Sequence, residues 1–323
     1  DAGGANVLVG LEAGAALNSS AGGGNTFIGF SAGQNSTTVG NAVAIGREAM
    51  SAGTTVGSGA DYTIAIGREA LTSLTSGAAN IAIGYQAGDA MTDAQRNVAI
   101  GYTALSAAAG DSSNVGIGYQ AMLVSNGADH CVAVGTDALV ACTNGDYSVA
   151  IGSSAGNSLT GGNKCTLIGY NTDASASDGT NQTVIGYDAQ GVANNSVTLG
   201  DSDVTAVYMA EDSGATVHCA AVTEGSSLEI KKNISEIESP LDKITKLRGI
   251  EFDYKENNKH SIGMVAEEVN EIFPELVSKD EDGKVTAMSY SRMTAVLLEA
   301  VKELSQEVKE LKMNNIYNNK ERD

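Results

Sequence analysis

One hydrophobic–polar phrase recurs along the first two thirds of the chain. An aliphatic residue, a small residue and a second aliphatic residue lead into a glycine. The phrase returns every seventeen residues, at Gly67, Gly84, Gly101, Gly118, Gly135, Gly152, Gly169 and Gly186. Looser copies end on Gly10, Gly29 and Gly46 before this series and on Gly200 after it. Alternation with period two predicts a short strand before each glycine. Turn-forming stretches such as Ser106 to Ser112 separate the strands. Self-similarity at a fixed period predicts a solenoid, and seventeen residues are too few for a helix pair. The expected fold of residues 1–205 is therefore an all-β solenoid, one coil per repeat.

Within the phrase, Val98, Val115, Val132 and Val149 stand three before the glycine, and Ile66, Ile83, Ile100, Ile117 and Ile151 stand one before it. These β-branched residues share a strand face, which we assign to the coil interior. The small residue between them (Ala65, Ala82, Ala99, Gly116) and the glycine share the other face. That face lacks bulk and suits close approach by another backbone, so three rolls about a threefold axis are expected to pack through it. Asparagine recurs four before the glycine at Asn6, Asn25, Asn80, Asn97 and Asn114, predicting a ladder of side-chain amides along the axis. Cys131 and Cys165 occupy the same place two coils apart and read as small buried fillers, as do the other cysteines, reduced in a cytoplasm. Tyr85, Tyr102, Tyr119, Tyr170 and Tyr187 follow the glycine. They are expected to pack along the roll or between subunits; a sugar-binding stripe is the alternative.

From residue 226 the character changes. Residues 1–225 carry four basic and nineteen acidic side chains; the rest carry fifteen and twenty. This shift marks a boundary near residue 225, with 206–225 read as a connector and 226–323 as a second domain. The helical period predicts a short helix from Pro240, a strand over Ile250 to Tyr254, a strand running into a helix that stops before Pro274, and a strand from Val285 to Tyr290. A long helix follows over about 291–313. Its Leu297, Val301, Leu304, Val308 and Leu311 have heptad spacing, predicting a coiled coil.

The net charge of −20 argues against a nucleic-acid partner. No apolar run approaches membrane-spanning length, so no membrane insertion is expected. No metal-ligand spacing, cofactor motif or pair of carboxylates for glycoside hydrolysis stands out, and no cofactor or metal is expected.

The phrase Asn-Val-Ala-Ile-Gly-x-x-Ala, as in Asn97 to Ala104, resembles the head repeats of trimeric autotransporter adhesins. That resemblance covers roughly residues 5–205 and implies a trimer of left-handed parallel β-rolls. The remaining segment resembles the C-terminal intramolecular chaperone of phage tailspikes and tail fibres, the endosialidase-type self-cleaving peptidase. The matching elements are Ser226 to Ile234, Leu247-x-Gly-x-x-Phe-x-Tyr254, Ile262-Gly-x-x-Ala-x-Glu-Val269, Phe273-Pro-Glu-Leu-Val277, Tyr290 and the final helix, together a small α+β domain. The family often carries Asp after the serine and Gln in the third motif, where this chain has Ser227 and Glu267.

The resemblance implies that the domain helps a homotrimer assemble and then cuts the Gly225–Ser226 bond with Ser226 and Lys231, a single-turnover serine autopeptidase without external substrate. Ser227 and Lys232 have the same spacing and offer a second register. A serine hydroxyl needs a base, and lysine serves only when neutral. His260, Asn233 and Glu268 are accessory candidates. The expected function is a virion tail fibre or spike segment, assembled in the host cytoplasm, that contacts other tail proteins and a host surface receptor, for which a glycan is one candidate. A bacterial adhesin head is one alternative, expected to bring a secretion signal and a membrane anchor. A glycan-degrading tailspike is the other.

Overall fold

The computed structural model describes residues 4–18, 22–209, 217–222, 225–255, 258–280 and 282–320. It divides into two units, Asp1–Thr216 and Val217–Asp323. Part of the expected 206–225 connector, residues 210–216 and 223–224, lies outside the described residues.

The first unit is a parallel β-solenoid. Its strands are β1 (Val7–Val9), β2 (Thr26–Ile28), β3 (Val43–Ile45), β4 (Ile64–Ile66), β5 (Ile81–Ile83), β6 (Val98–Ile100), β7 (Val115–Ile117), β8 (Val132–Val134), β9 (Val149–Ile151), β10 (Thr166–Ile168), β11 (Gln182–Ile185) and β12 (Ser196–Leu199). They form one 12-stranded sheet in chain order, each strand parallel to the next. Equivalent residues pair throughout, as Val98 does with Val115. Backbone bonds between coils carry the stacking: Val98 N–H donates to the Asn114 carbonyl and Gly101 N–H to the Ile83 carbonyl, each at 2.8 Å.

The glycine column has a backbone cause. Gly101 sits at φ 142°, a conformation that L-residues rarely adopt. A Cβ there would also strike the carbonyl oxygen of Gly118 in the next coil. The close approach expected from sequence is real, but the approaching backbone is the chain's own next coil.

The structure reverses the expected strand faces. The small central residue points inward: Ala65, Ala99, Ala133 and Ala150 are fully buried. The flanking β-branched residues point outward, and Ile83, Ile117, Ile151 and Ile185 are 36–42% exposed. Interior volume explains the reversal. Leu71, Leu105, Met122 and Leu139 enter the coil from the corner after each strand and are completely buried. Only a small side chain fits opposite them. A Cβ on Gly116 would lie 3.1 Å from Leu105 Cγ. Where β2 instead turns Phe27 inward, Gly14 and Gly33 stand against its ring. Large and small residues thus exchange places along the axis at near-constant filling.

The asparagine ladder forms, but it caps backbone as well as stacking amides. Asn97 Oδ1 accepts the Asn114 N–H at 2.8 Å, and its Nδ2 donates to the Asp111 carbonyl at 2.7 Å. Asn114 does the same for Cys131 N–H and the Ala128 carbonyl. These bonds satisfy corner groups that the strands leave unpaired. Farther along, Cys131, Ser148 and Cys165 take over the position, each donating to a carbonyl fourteen residues on. Cys131, Cys142 and Cys165 are free thiols in the core. Its hydrogen bond with Cys142, then burial, push the Cys131 thiol up; burial does the same at Cys165. The tyrosines stack on one another: Tyr85 on Tyr102 at 5.0 Å, Tyr102 on Tyr119 at 5.4 Å, and Tyr170 on Tyr187 at 5.2 Å.

The second unit contains α1 (Pro240–Ile244), the antiparallel pair β13 (Ile250–Asp253) and β14 (His260–Gly263), α2 (Ala266–Ile272), the antiparallel pair β15 (Val277–Lys279) and β16 (Val285–Met288), and α3 (Tyr290–Lys320). Its core is small: Val269, Phe273, Leu276, Met293 and Val296. Two separated sequence motifs meet beside it. Tyr290 Oη accepts the Met264 N–H at 2.9 Å, and a Cβ on Gly263 would lie 2.5 Å from that oxygen. Leu297, Val301, Leu304, Val308 and Leu311 form an exposed row on α3.

Candidate functional site

The second unit's described chain begins with an extended stretch, a single 3-10 turn over Leu228–Ile230, and a return to extended backbone at Lys231. Ser227 caps that turn, its Oγ accepting the Glu229 N–H at 3.2 Å. The turn folds residues 226 and 231 toward each other, and Lys231 Nζ donates to Ser226 Oγ at 2.6 Å. Of the two possible serine–lysine registers, this is the one in hydrogen-bond contact; Ser227 is committed to the cap. Both members of the pair are solvent-exposed in the single chain.

Gly225 precedes the pair and packs close to the turn, where an added Cβ would lie 3.3 Å from Ile230 Cδ1. It also lines an open groove of about 410 Å³ with Glu275, Leu276, Val277, Ser278, Ser289 and Arg292. The groove walls are tied together by the Ser289 N–H, which donates to the Leu276 carbonyl at 2.8 Å.

The other candidates have partners of their own. His260 Nδ1 lies 3.0 Å from Asp253 Oδ1, across the β13–β14 pair. Glu268, on α2, receives Arg248 through both carboxylate oxygens, with a shortest distance of 2.6 Å. That guanidinium holds the Glu268 carboxyl below the usual carboxylate value. Asn233 is an exposed residue with φ 55°, the left-handed conformation that asparagine tolerates. Among the described residues, no cluster of metal-ligating side chains occurs, and no helix is long and apolar enough to cross a membrane. Sequence reading missed the groove's Ser289 and Arg292, because their meeting with Gly225 joins chain segments more than sixty residues apart.

Residues 226–278 match the family described as Chaperone of endosialidase. The chain is 31% identical over 149 residues to Long tail fiber protein Gp37 of Enterobacteria phage T2, covering 38% of this chain and 11% of that protein. It is 37% identical over 94 residues to the protein of that name from Enterobacteria phage K3, covering 27% and 8%. With that of Salmonella phage S16 the identity is 30% over 109 residues, covering 31% and 15%. The matched part of the chain thus spans only 8–15% of the length of these relatives. No solved structure matches it. The endosialidase-type chaperone segment, the likeness to long tail fibre proteins and the parallel solenoid together support a phage tail fibre with a C-terminal chaperone domain.

Proposed function

We propose that this chain is a homotrimeric tail-fibre segment whose C-terminal unit drives assembly and then severs itself at Gly225–Ser226. The observation that carries the reading is the 2.6 Å contact between Lys231 Nζ and Ser226 Oγ at the head of the matched chaperone segment. Neutral Lys231 takes the Ser226 hydroxyl proton as Oγ attacks the Gly225 carbonyl carbon. The Gly225–Ser226 C–N bond breaks, its nitrogen takes up a proton, and the acyl group rests on Oγ as an ester. Water then hydrolyses that ester, leaving a Gly225 carboxylate and a free Ser226 amine.

The neutral amine is favoured by desolvation. The pair is exposed in one chain, so cover supplied by neighbouring copies makes the cut follow assembly. Two surfaces suit such neighbours: the outward Val/Ile rows of the solenoid and the exposed heptad row of α3. The rows of β-branched residues replace the small-residue face as the proposed solenoid interface. In the virion, the assembled solenoid contacts other tail proteins and a host surface receptor.

Intact-mass measurement of purified protein beside its Ser226→Ala variant tests the reading. Two fragments from the wild type, one beginning at Ser226, and one full-length variant chain are expected. A wild-type chain that stays whole would remove the peptidase role and leave only an assembly clamp.

A further inference from the structure

Self-cleavage as proposed above places negative charge on the Gly225 carbonyl oxygen when Oγ adds to its carbon. An amide of this kind reacts slowly unless fixed donors meet that oxygen. Lys231 cannot serve, because its amine is engaged with Ser226 Oγ as the base. The donor must come from elsewhere in the fold.

The groove beside Gly225 holds a candidate. Of its lining residues, Arg292 alone carries positive charge and Glu275 alone carries negative charge. Arg292 lies in the first turn of α3, directly after Ser289, whose Oγ accepts the Arg292 N–H at 3.4 Å. This fixes the backbone from which the side chain projects. Its guanidinium is exposed and forms no ion pair among the described residues, unlike Arg47, Arg68 and Arg248. A guanidinium stays charged at any working pH and presents several donors in a rigid fork. We infer that Arg292 stabilises the oxyanion formed on Gly225 during cleavage, with Gly225 itself seated in the groove that Arg292 lines. In this step Arg292 exchanges no proton. It donates hydrogen bonds to the oxygen while the C–O bond to Ser226 forms, and it releases that oxygen when the C–N bond breaks.

The test compares cleavage rates of the full chain as wild type, Ser226→Ala, Arg292→Gln, Arg292→Ala and Arg292→Lys, with oligomeric state followed by sedimentation. Arg292→Gln is expected to assemble as Ser226→Ala does and to cleave about 100- to 1000-fold more slowly, the scale for loss of one oxyanion donor. Guanidinium ion added to Arg292→Ala is expected to restore part of the rate, which a structural role for Arg292 would not allow. Wild-type cleavage that proceeds normally with an equally fast Arg292→Gln overturns the Arg292 assignment alone. An uncleaved wild type overturns the peptidase reading and this inference together. Should Arg292→Gln fail to assemble, Arg292→Lys decides: several-fold slowing is expected, and unchanged cleavage overturns the proposal.

Discussion

The two units solve the problem of burial in opposite ways. Each solenoid coil covers its neighbours with its own chain, and the core contains alanine, leucine, methionine and satisfied asparagine from Phe27 to Ala189. Among the described residues, the C-terminal unit buries only a small cluster around Phe273 and leaves Leu228, Ile230, Ile234 and Ile262 at 66–75% exposure. The solenoid gains stability coil by coil, but its strands are only three or four residues long, so an isolated coil gains little. Starting the stack is its difficulty. The C-terminal unit leaves these apolar side chains uncovered in one chain, in keeping with the proposed role of gathering other copies. One region is strong once begun, and the other is suited to beginning.

The sharpest way to break this comparison is to separate the units. Residues 1–225 expressed without 226–323 are expected to aggregate or remain monomeric, measured by light scattering and sedimentation. Soluble, heat-resistant trimers from that truncation would show that the solenoid starts itself. A smaller effect follows within the solenoid. Gly101→Val combines a disallowed φ with a clash against the Gly118 carbonyl and should cost about 3 kcal/mol or more, read from the thermal midpoint of the purified protein. A Gly101→Val midpoint equal to wild type would remove backbone stacking as the source of the column. The smallest effect lies in the C-terminal unit. Arg248 depresses the Glu268 pKa, so the pair's contribution is present above the ordinary carboxylate value of 4.5 and fades as pH falls through the lowered folded value. Glu268→Gln should slightly lower the melting temperature at neutral pH and leave it unchanged in acid. Equal loss at both pH values would assign the residue's effect to packing.

The repeat made most of the architecture legible. Strand positions in the solenoid, the glycine column and the asparagine ladder all follow from spacing, as do most C-terminal elements, whereas β15 shows only in its pairing with β16. The strand faces did not, because alternation defines two faces without saying which is inside. The decision rests with Leu71, Leu105, Met122 and Leu139, corner residues whose bulk leaves room only for a small side chain at the facing strand position of their coils. The Ser226–Lys231 contact is local, bridged by one short turn, but spacing alone offers Ser227 and Lys232 equally, and the family resemblance is what singled out the pair. The groove at Gly225 is not, since Leu276 and Arg292 reach it only through the packing of α2, β15 and α3.

The coil between Gly46 and Gly67 is four residues longer than its neighbours, yet Val43 still pairs with Ile64. The surplus is taken up in a loop that includes a 3-10 turn at Ser58–Ala60. Backbone pairing, rather than the identity of any outward side chain, therefore defines each seam, and any coil can follow any other. A recombination event that deletes or duplicates one coil would leave two matching seams and change the length by about 4.8 Å. Such a fibre can evolve its reach in whole-number steps while both ends stay the same.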